Sequence, residues 1–201
     1  MKAMLNVYLL RHGETAYNAD GNRYCGRTDI PLTQIGIQQA LSVYEQLKSI
    51  SLDAVYSSPL IRAYNTAQIA SGREVIKDER LIEADFGEWE GKTKEEFIAD
   101  DPSSWKEWMN DPATTRAGRS GETAQQIIDR VGNFFNGLLN IHQSGNILAV
   151  GHNGINRFYL AYKLGMPLKH YRRIVQENSS ITLFTLDKTG ELNLQKLNSR
   201  I

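Results

Sequence analysis

Two hydrophobic periods alternate in the first part of the chain. Residues 5–10 are a short apolar run that stops at Arg11 and His12, which predicts a buried strand ending in a loop. From Thr33 to Ile50 the apolar residues instead recur at helical spacing behind a threonine suited to capping, which predicts a helix. The chain therefore begins with a strand followed by a helix.

The same order returns directly afterwards. Residues 54–57 form a second short run of β-forming residues. Ser58 is suited to a helix cap and Pro59 to the first helical position. The apolar stripe that continues this helix consists of Leu60, Ala63, Ala67 and Ala70. A second strand and a second helix are predicted.

The segment from about 72 to 121 interrupts this alternation. It contains all three tryptophans, two Asp-Pro steps and many charges, a composition that favours short helices and loops. We interpret it as an excursion from the core whose tryptophans pack a small subdomain rather than stack on a ligand. Its part from about 92 to 119, the cap segment, is predicted to cover the functional site.

The regular pattern resumes in the last third of the chain. It predicts a helix over 124–138, a strand over 146–150, a helix over 155–164 and two strands over 180–186 and 191–197. Strands that alternate with helices favour a mostly parallel sheet with helices on both faces. We therefore expect an α/β protein, a three-layer α/β/α fold in a single domain over 1–201.

Composition narrows the classes of partner. The 201 residues carry 23 basic and 23 acidic side chains, so the formal net charge is zero and no overall field attracts nucleic acid or an anionic membrane. The run at 5–10 is too short for a signal-peptide core or a membrane span. The single cysteine cannot form an intramolecular disulfide. We expect a cytoplasmic protein, and we interpret the basic run Lys169–Arg173 as a solvated turn.

The candidate chemistry follows the predicted strands. Arg11 and His12 come directly after the first strand, Arg62 lies in the first turn after the second, and His152 follows the strand at 146–150. Ligands of parallel sheets bind beyond these strand ends. Two guanidinium forks and two imidazoles suit a phosphate dianion, and the helix opening at Gly151–Gly154 adds N–H groups that favour an anion. No metal site and no cofactor are predicted, since no histidine pair has metal-ligand spacing with a carboxylate or cysteine.

Several blocks of residues surround these side chains in a fixed order. They are Leu10–Thr15 with Asn18, Asp29–Thr33 with Gly36 and Gln39, Tyr56–Leu60 with Arg62 and Thr66, Phe86–Gly91, Gly121-Glu122 and Gly151-His152. Together they resemble the histidine phosphatase superfamily, the phosphoglycerate-mutase-like enzymes, over nearly the whole chain. The Phe86–Gly91 block and the chain length are closer to the phosphatase branch, which includes enzymes acting on α-ribazole phosphate or on sugar phosphates.

The resemblance implies a role for each group. His12 would attack phosphorus and carry a phosphohistidine, and a neutral imidazole is a competent nucleophile near neutral pH. The groups implied to hold the phosphoryl oxygens are Arg11, Arg62, His152 and Asn18. Glu83 stands in the place of the family's acid/base, with Asp85 and Glu88 as the alternative carboxylates.

Departures from the family pattern bear on the choice of substrate. An asparagine follows the second histidine where many of the phosphatases have a small residue, and Tyr-Cys-Gly replaces a commoner Gln-Gly arrangement. The cap segment adds two arginines as predicted second anion contacts that select the leaving group. The residues expected to contact the substrate in these regions are Asn153, Tyr24, Cys25, Gly26, Arg116 and Arg119.

The sequence thus predicts a metal-independent phosphomonoesterase, monomeric or homodimeric, that hydrolyses a small phosphorylated metabolite through a phosphohistidine. One alternative is a phosphoglycerate mutase, which would return the phosphoryl group to its substrate; mutases of the family usually carry a larger insertion before the second histidine. The other is a non-catalytic phosphate-binding module, whose mark would be a lost catalytic group.

Overall fold

The computed structural model describes residues 4–199. The strands are β1 (Leu5–Arg11), β2 (Ala54–Ser57), β3 (Ile76–Lys77), β4 (Gly145–Gly151), β5 (Ile181–Leu186) and β6 (Leu192–Ser199). The helices are α1 (Ala16–Ala19), α2 (Gln34–Leu47), α3 (Ile61–Ser71), α4 (Lys94–Asp100), α5 (Pro102–Asn110), α6 (Ala124–Ile141) and α7 (Asn153–Lys163). Short 3₁₀ helices cover Glu79–Leu81, Gly87–Trp89 and Leu168–Arg173. No helix in this range is long and apolar enough to cross a lipid bilayer.

The six strands form one sheet in the order β3-β2-β4-β1-β5-β6. β1 and β2 both pair with β4 in parallel, and β3 pairs with β2 in parallel. β5 and β6 add an antiparallel edge beyond β1. The mostly parallel sheet is therefore confirmed. β3 was not predicted, because two residues are too few to show a period.

Side chains of β4 alternate between two buried clusters. Ile147 and Ala149 pack with α6 and α7 on one face of the sheet. Leu148 and Val150 pack with α2 and α3 on the other face. A strand buried on both faces reads as the continuous apolar run seen in the sequence. The predicted arrangement of helices on both faces is confirmed.

The helix starts are partly as predicted. Thr33 caps α2 as expected, since its side chain accepts the N–H of Gly36 at 3.0 Å. The predicted Ser58 cap of α3 is wrong, because this helix begins at Ile61. The N–H of Ile61, which has no acceptor within the helix, donates to Asp29 Oδ1 at 2.7 Å. A residue from a distant loop therefore caps α3.

The irregular segment at 72–121 forms short helices and loops, as predicted, but it is not an excursion from the core. Trp89, Phe97 and Trp108 are buried in the same cluster as β1 and α6. Phe97 stacks on Trp89 with ring centroids 4.7 Å apart, and Trp108 meets the edge of Phe158 on α7 at 5.8 Å. The tryptophans pack as expected, and they join this segment to the main core.

Candidate active site

The carboxyl ends of β1 and β4 lie side by side. Arg11 is opposite Gly151 in the parallel register, so His12 and His152 leave the sheet at the same edge. Their ring centroids are 5.0 Å apart. β2 is the other neighbour of β4, and the helix that follows it carries Arg62 toward this edge. The structure brings together the groups that the sequence places at the strand ends.

His12 is held as one tautomer. Its Nδ1 lies 2.7 Å from the carbonyl oxygen of Gly13; a carbonyl only accepts, so Nδ1 carries the proton and Nε2 keeps its lone pair. Burial, together with the positive charges of Arg62 and Arg11, lowers the pKa of His12 well below its usual value. The ring is therefore neutral near pH 7, with Nε2 free to act as a nucleophile.

The residues after His12 are locked by two helices. The Gly13 N–H donates to Thr66 Oγ1 on α3 at 2.9 Å. α2 approaches so closely that a Cβ at Gly13 would lie 2.5 Å from the carbonyl oxygen of Gly36, and a Cβ at Gly36 would lie 2.2 Å from that of Glu14. No larger residue fits at either glycine, and this contact accounts for both motif positions.

Arg62 is fully buried and fixed by the loop that precedes it in the chain. Its guanidinium donates to the carbonyl oxygens of Thr28, Cys25 and Gly26 at 2.8, 3.0 and 2.9 Å. The Glu90 carboxylate holds this loop by accepting the N–H groups of Gly26 and Thr28. The Phe86–Gly91 motif thus positions Arg62 through its loop.

Arg11 and Asn18 are fixed by a segment that the sequence does not single out. Arg11 Nη1 donates to the carbonyl oxygen of Gln176 at 3.0 Å. The Asn178 amide donates to the His12 carbonyl oxygen and to Asn18 Oδ1, each at 3.1 Å. Because Asn18 Oδ1 also accepts the Thr15 N–H, the amide nitrogen of Asn18 is the end available to a ligand oxygen.

His152 is fully buried at the start of α7. Burial, followed by the charge of Arg62, lowers the pKa of its imidazole well below the usual value. Neither ring nitrogen has a hydrogen-bond partner within residues 4–199. A buried polar group without a partner is costly, and a phosphoryl oxygen would supply the missing acceptor.

Glu83 occupies the N-terminus of α7. Its carboxylate accepts the N–H groups of Ala84, Gly154 and Ile155 at 2.8, 2.9 and 3.1 Å, and the side chain is 4% exposed. The sequence assigned this helix end to the ligand's anion, but the protein's own carboxylate takes the place. Arg130 keeps the segment in position by donating to the carbonyl oxygen of Glu83 at 3.2 Å.

Several of these groups line a cavity of about 320 Å³, whereas Arg62 and His152 are fully buried and are not among its lining residues. Its predicted site residues are Arg11, His12, Asn18, Tyr24, Cys25, Glu83 and Asn153. The alternative acids Asp85 and Glu88 do not line it. Asp85 Oδ1 instead accepts the Gly87 N–H at 2.9 Å. Within residues 4–199, no three His, Cys, Asp or Glu side chains are grouped so that they could hold a metal ion.

A family profile matches residues 7–200, and it describes the histidine phosphatase superfamily (branch 1). The chain belongs to this superfamily. It is 32% identical over 198 residues to phosphoserine phosphatase 1 of Hydrogenobacter thermophilus, covering 97% of this chain and 92% of that one. It is 36% identical over 184 residues to a Salmonella choleraesuis protein named "Probable phosphoglycerate mutase GpmB", covering 89% of this chain and 84% of that one. The crystal structure of the α-ribazole phosphatase from Shigella flexneri matches with a TM-score of 0.84 and 32% identity, covering 97% and 96% of the two chains.

The family match and these relatives confirm the prediction of a phosphatase of the histidine phosphatase superfamily. They also confirm the α/β fold class of the superfamily.

Besides the buried Arg62 and His152, three predicted substrate contacts do not line the cavity of this histidine phosphatase. The Gly26 carbonyl oxygen accepts from Arg62, and its N–H donates to Glu90. Gly26 therefore helps to position Arg62. Arg116 donates to the Gly121 carbonyl oxygen at 2.9 Å, and Arg119 donates to Asp101 at 2.7 Å. None of residues 92–119 lines the cavity, and Phe97 and Trp108 of the cap segment are buried in the main core.

Two other arginines take the place expected for those of the cap segment. Arg157 on α7 and Arg172 in the last 3₁₀ helix line the cavity. Arg172 belongs to the run interpreted as a solvated turn, and that interpretation is wrong for this residue. Helical spacing would have put Arg157 about one turn after Asn153, four residues earlier, on the side of α7 that lines the cavity.

Proposed function

We propose that this histidine phosphatase hydrolyses a small phosphate monoester through a phosphohistidine on Nε2 of His12. The observation that carries the proposal is the bond between His12 Nδ1 and the Gly13 carbonyl oxygen, beside two guanidinium groups. It supplies a neutral nucleophile of fixed orientation in a field that attracts a dianion.

In the first step, Nε2 attacks phosphorus while the bond from phosphorus to the ester oxygen breaks. Arg11, Arg62 and Asn18 donate to the phosphoryl oxygens, and His152 adds one N–H. The leaving oxygen takes a proton from Glu83, which must be protonated when the substrate binds. The product alcohol departs, and the phosphoryl group stays on the imidazole.

In the second step, water attacks the phosphohistidine. Glu83, now ionised, takes a proton from the water as the bond between nitrogen and phosphorus breaks. Inorganic phosphate leaves, and Glu83 and the neutral His12 return to their starting forms. Two guanidinium groups supply the positive charge for both transfers, so we propose that neither step needs a metal ion or another cofactor.

The substrate is proposed to be a small phosphorylated metabolite, because the cavity holds about 320 Å³. Relatives named as acting on phosphoserine or α-ribazole phosphate support this size class. Asn153, Tyr24 and Cys25 line the cavity and are the proposed contacts to the alcohol part. The single domain, the cytoplasmic location and the monomeric or homodimeric state stay predictions from the sequence.

A phosphoglycerate mutase is the second candidate, because a relative bears that name. It would use the same phosphohistidine and return the phosphoryl group to an alcohol instead of to water. Incubation with 3-phosphoglycerate separates the two functions: a hydrolase releases inorganic phosphate, whereas a mutase forms 2-phosphoglycerate. A non-catalytic module is disfavoured, since His12 and Glu83 are both present at the site.

Rapid-quench experiments test the mechanism. A labelled phosphate ester should leave an acid-labile, base-stable phosphoryl group on the protein, and His12→Ala should form none. Activity should survive treatment with a chelator. Normal turnover by a folded His12→Ala variant would refute the nucleophile, and recovery of chelator-lost activity on adding magnesium would refute metal independence.

A further inference from the structure

The cavity has a second basic end that phosphoryl transfer does not use. Arg157 and Arg172 line it together with Tyr24 and Tyr171. Arg11, with the buried Arg62 and His152 beside His12, forms the phosphoryl end. The cationic groups of the cavity therefore fall into two sets, and the proposed reaction employs one of them.

Arg157 is placed at this end without any partner of its own in the protein. The structure gives its guanidinium no hydrogen bond and no ion pair within residues 4–199, and its Nε is buried. Arg172 lies close enough to repel it, and this repulsion adds to burial in lowering the pKa of Arg157. A partly buried cation beside a like charge is unfavourable unless an anion joins it.

Arg172 is held in a fixed orientation. Its Nη1 donates to the Tyr24 hydroxyl at 2.8 Å, and its guanidinium lies over the Trp105 ring at 5.3 Å from the centroid. Tyr171 next to it stacks on Phe158 with ring centroids 4.0 Å apart. Stacked, hydrogen-bonded guanidinium groups are well prepared to bind a planar carboxylate through two parallel bonds.

Two acidic residues line the cavity, Glu83 and Glu177, and among residues 4–199 no ion pair joins either of them to Arg157 or Arg172. Glu83 is committed to three N–H groups at the start of α7. Arg23 also lines the cavity, but it already pairs with Asp20 and Glu96 at 2.7 Å each. Neither Arg157 nor Arg172 has a carboxylate within salt-bridge distance among residues 4–199.

We propose that Arg157 and Arg172 bind a carboxylate on the alcohol part of the substrate, so that the preferred substrates are phosphate esters of small hydroxy acids. The inference rests on the proposed phosphomonoesterase function, because that function places the phosphoryl group at the other end of the cavity. The two arginines thereby replace Arg116 and Arg119 as the second anion contact, and they select the substrate without touching the reacting atoms.

The test compares two esters that differ in one group. Glycerate 3-phosphate carries a carboxylate where glycerol 3-phosphate carries CH₂OH, so the ratio of their kcat/KM values isolates the carboxylate. We expect the wild type to favour glycerate 3-phosphate. Hydrogen bonds to charged groups predict that Arg157→Gln lowers this ratio roughly ten- to a hundredfold, with Arg172→Gln acting in the same direction.

Arg173→Gln is the matched control, because it removes the same charge one residue away from a side chain that is exposed and outside the lining. This variant should keep the wild-type ratio. Thermal unfolding of each variant shows whether it is folded at the assay temperature. A fall of both esters by the same factor in Arg157→Gln and Arg172→Gln would overturn the proposal.

Binding to a His12→Ala protein separates this inference from the proposed function. That variant cannot form the phosphoenzyme, so calorimetric titration measures affinity for each ester without turnover. Tighter binding of glycerate 3-phosphate that is lost with Arg157→Gln supports the subsite even if the wild type hydrolyses neither ester. Equal affinity for both esters in the His12→Ala protein overturns it, even if hydrolysis is confirmed.

Discussion

Replacing Glu83 with glutamine should weaken the fold by an amount that its hydrogen bonds predict. Oε1 accepts the N–H groups of Ala84 and Ile155, and Oε2 accepts that of Gly154. A glutamine can keep its oxygen toward the first two, but its NH₂ group then faces the Gly154 N–H. The unsatisfied buried donor costs about 1–3 kcal/mol.

We therefore expect the free energy of unfolding of Glu83→Gln to fall by about 1–3 kcal/mol. For a chain of this size the melting temperature should fall by roughly 2–12 °C. Kinetics must then be measured well below the new melting temperature, so that loss of folded protein is not mistaken for loss of catalysis.

The catalytic effect of the same variant should depend on the leaving group. An alkoxide needs a proton in the transition state, whereas a nitrophenolate departs with little help. Phosphoryl transfer from an alkyl phosphate should slow by roughly 10²–10⁴-fold, the usual contribution of general acid catalysis. Transfer from p-nitrophenyl phosphate should slow much less, and the phosphoenzyme should persist, because no carboxylate takes the proton of the attacking water.

Asp85→Asn is the control for this experiment. Asp85 is close in sequence and also accepts a backbone N–H, but it does not line the cavity. It should show no dependence on the leaving group. Equal slowing of both esters by Glu83→Gln, together with a shorter-lived phosphoenzyme, would refute the assignment of Glu83 as the acid/base.

Three further outcomes follow from contacts at the site. Glu90→Ala should weaken inhibition by vanadate roughly tenfold, because the loop that anchors Arg62 loses a charged acceptor; an unchanged inhibition constant would contradict this. The unfolded protein should take up protons on His12 and His152 below pH 6.5 that the folded protein does not, since both pKa values are lowered by burial. Urea unfolding should therefore show stability falling as the pH drops from 6.5, by up to about 1.4 kcal/mol per pH unit for each histidine, and a flat profile would show that the rings are not buried neutral. Arg119→Gln should leave substrate preference unchanged in the ester comparison, whereas a shift would restore the cap segment to the site.

The features closest to the strands could be predicted from the sequence because short-range patterns determine them. The apolar runs of β1 and β4 are buried on both faces, so they end visibly where polar residues begin. His12 and His152 directly follow these runs. Parallel pairing of neighbouring strands then brings the two side chains together without further information.

The contacts that the sequence could not supply join residues far apart in the chain. Glu83 was assigned its chemistry from its motif, but its bond to Gly154 spans 71 residues and has no local pattern. The sequence predicted that Arg119 contacts the substrate. Its hydrogen bond to Asp101, 18 residues earlier, depends on how α5 packs and has no local pattern. Arg172 lay in a basic run that resembles a solvated turn, and its contacts with Tyr24, 148 residues away, and with the Trp105 ring show otherwise.

The close approach of Gly13 and Gly36 makes α2 a spacer for the nucleophile. With under 3 Å between each added Cβ and the opposing carbonyl oxygen, the helix cannot move inward, and any outward movement would break the Gly13 packing. The volume of the side chains on the buried side of α2, which include Ala40 and Val43, therefore determines the position of His12 relative to the sheet. Stabilising substitutions that enlarge this layer would shift the reacting nitrogen, so this face can gain stability only through changes that conserve its volume.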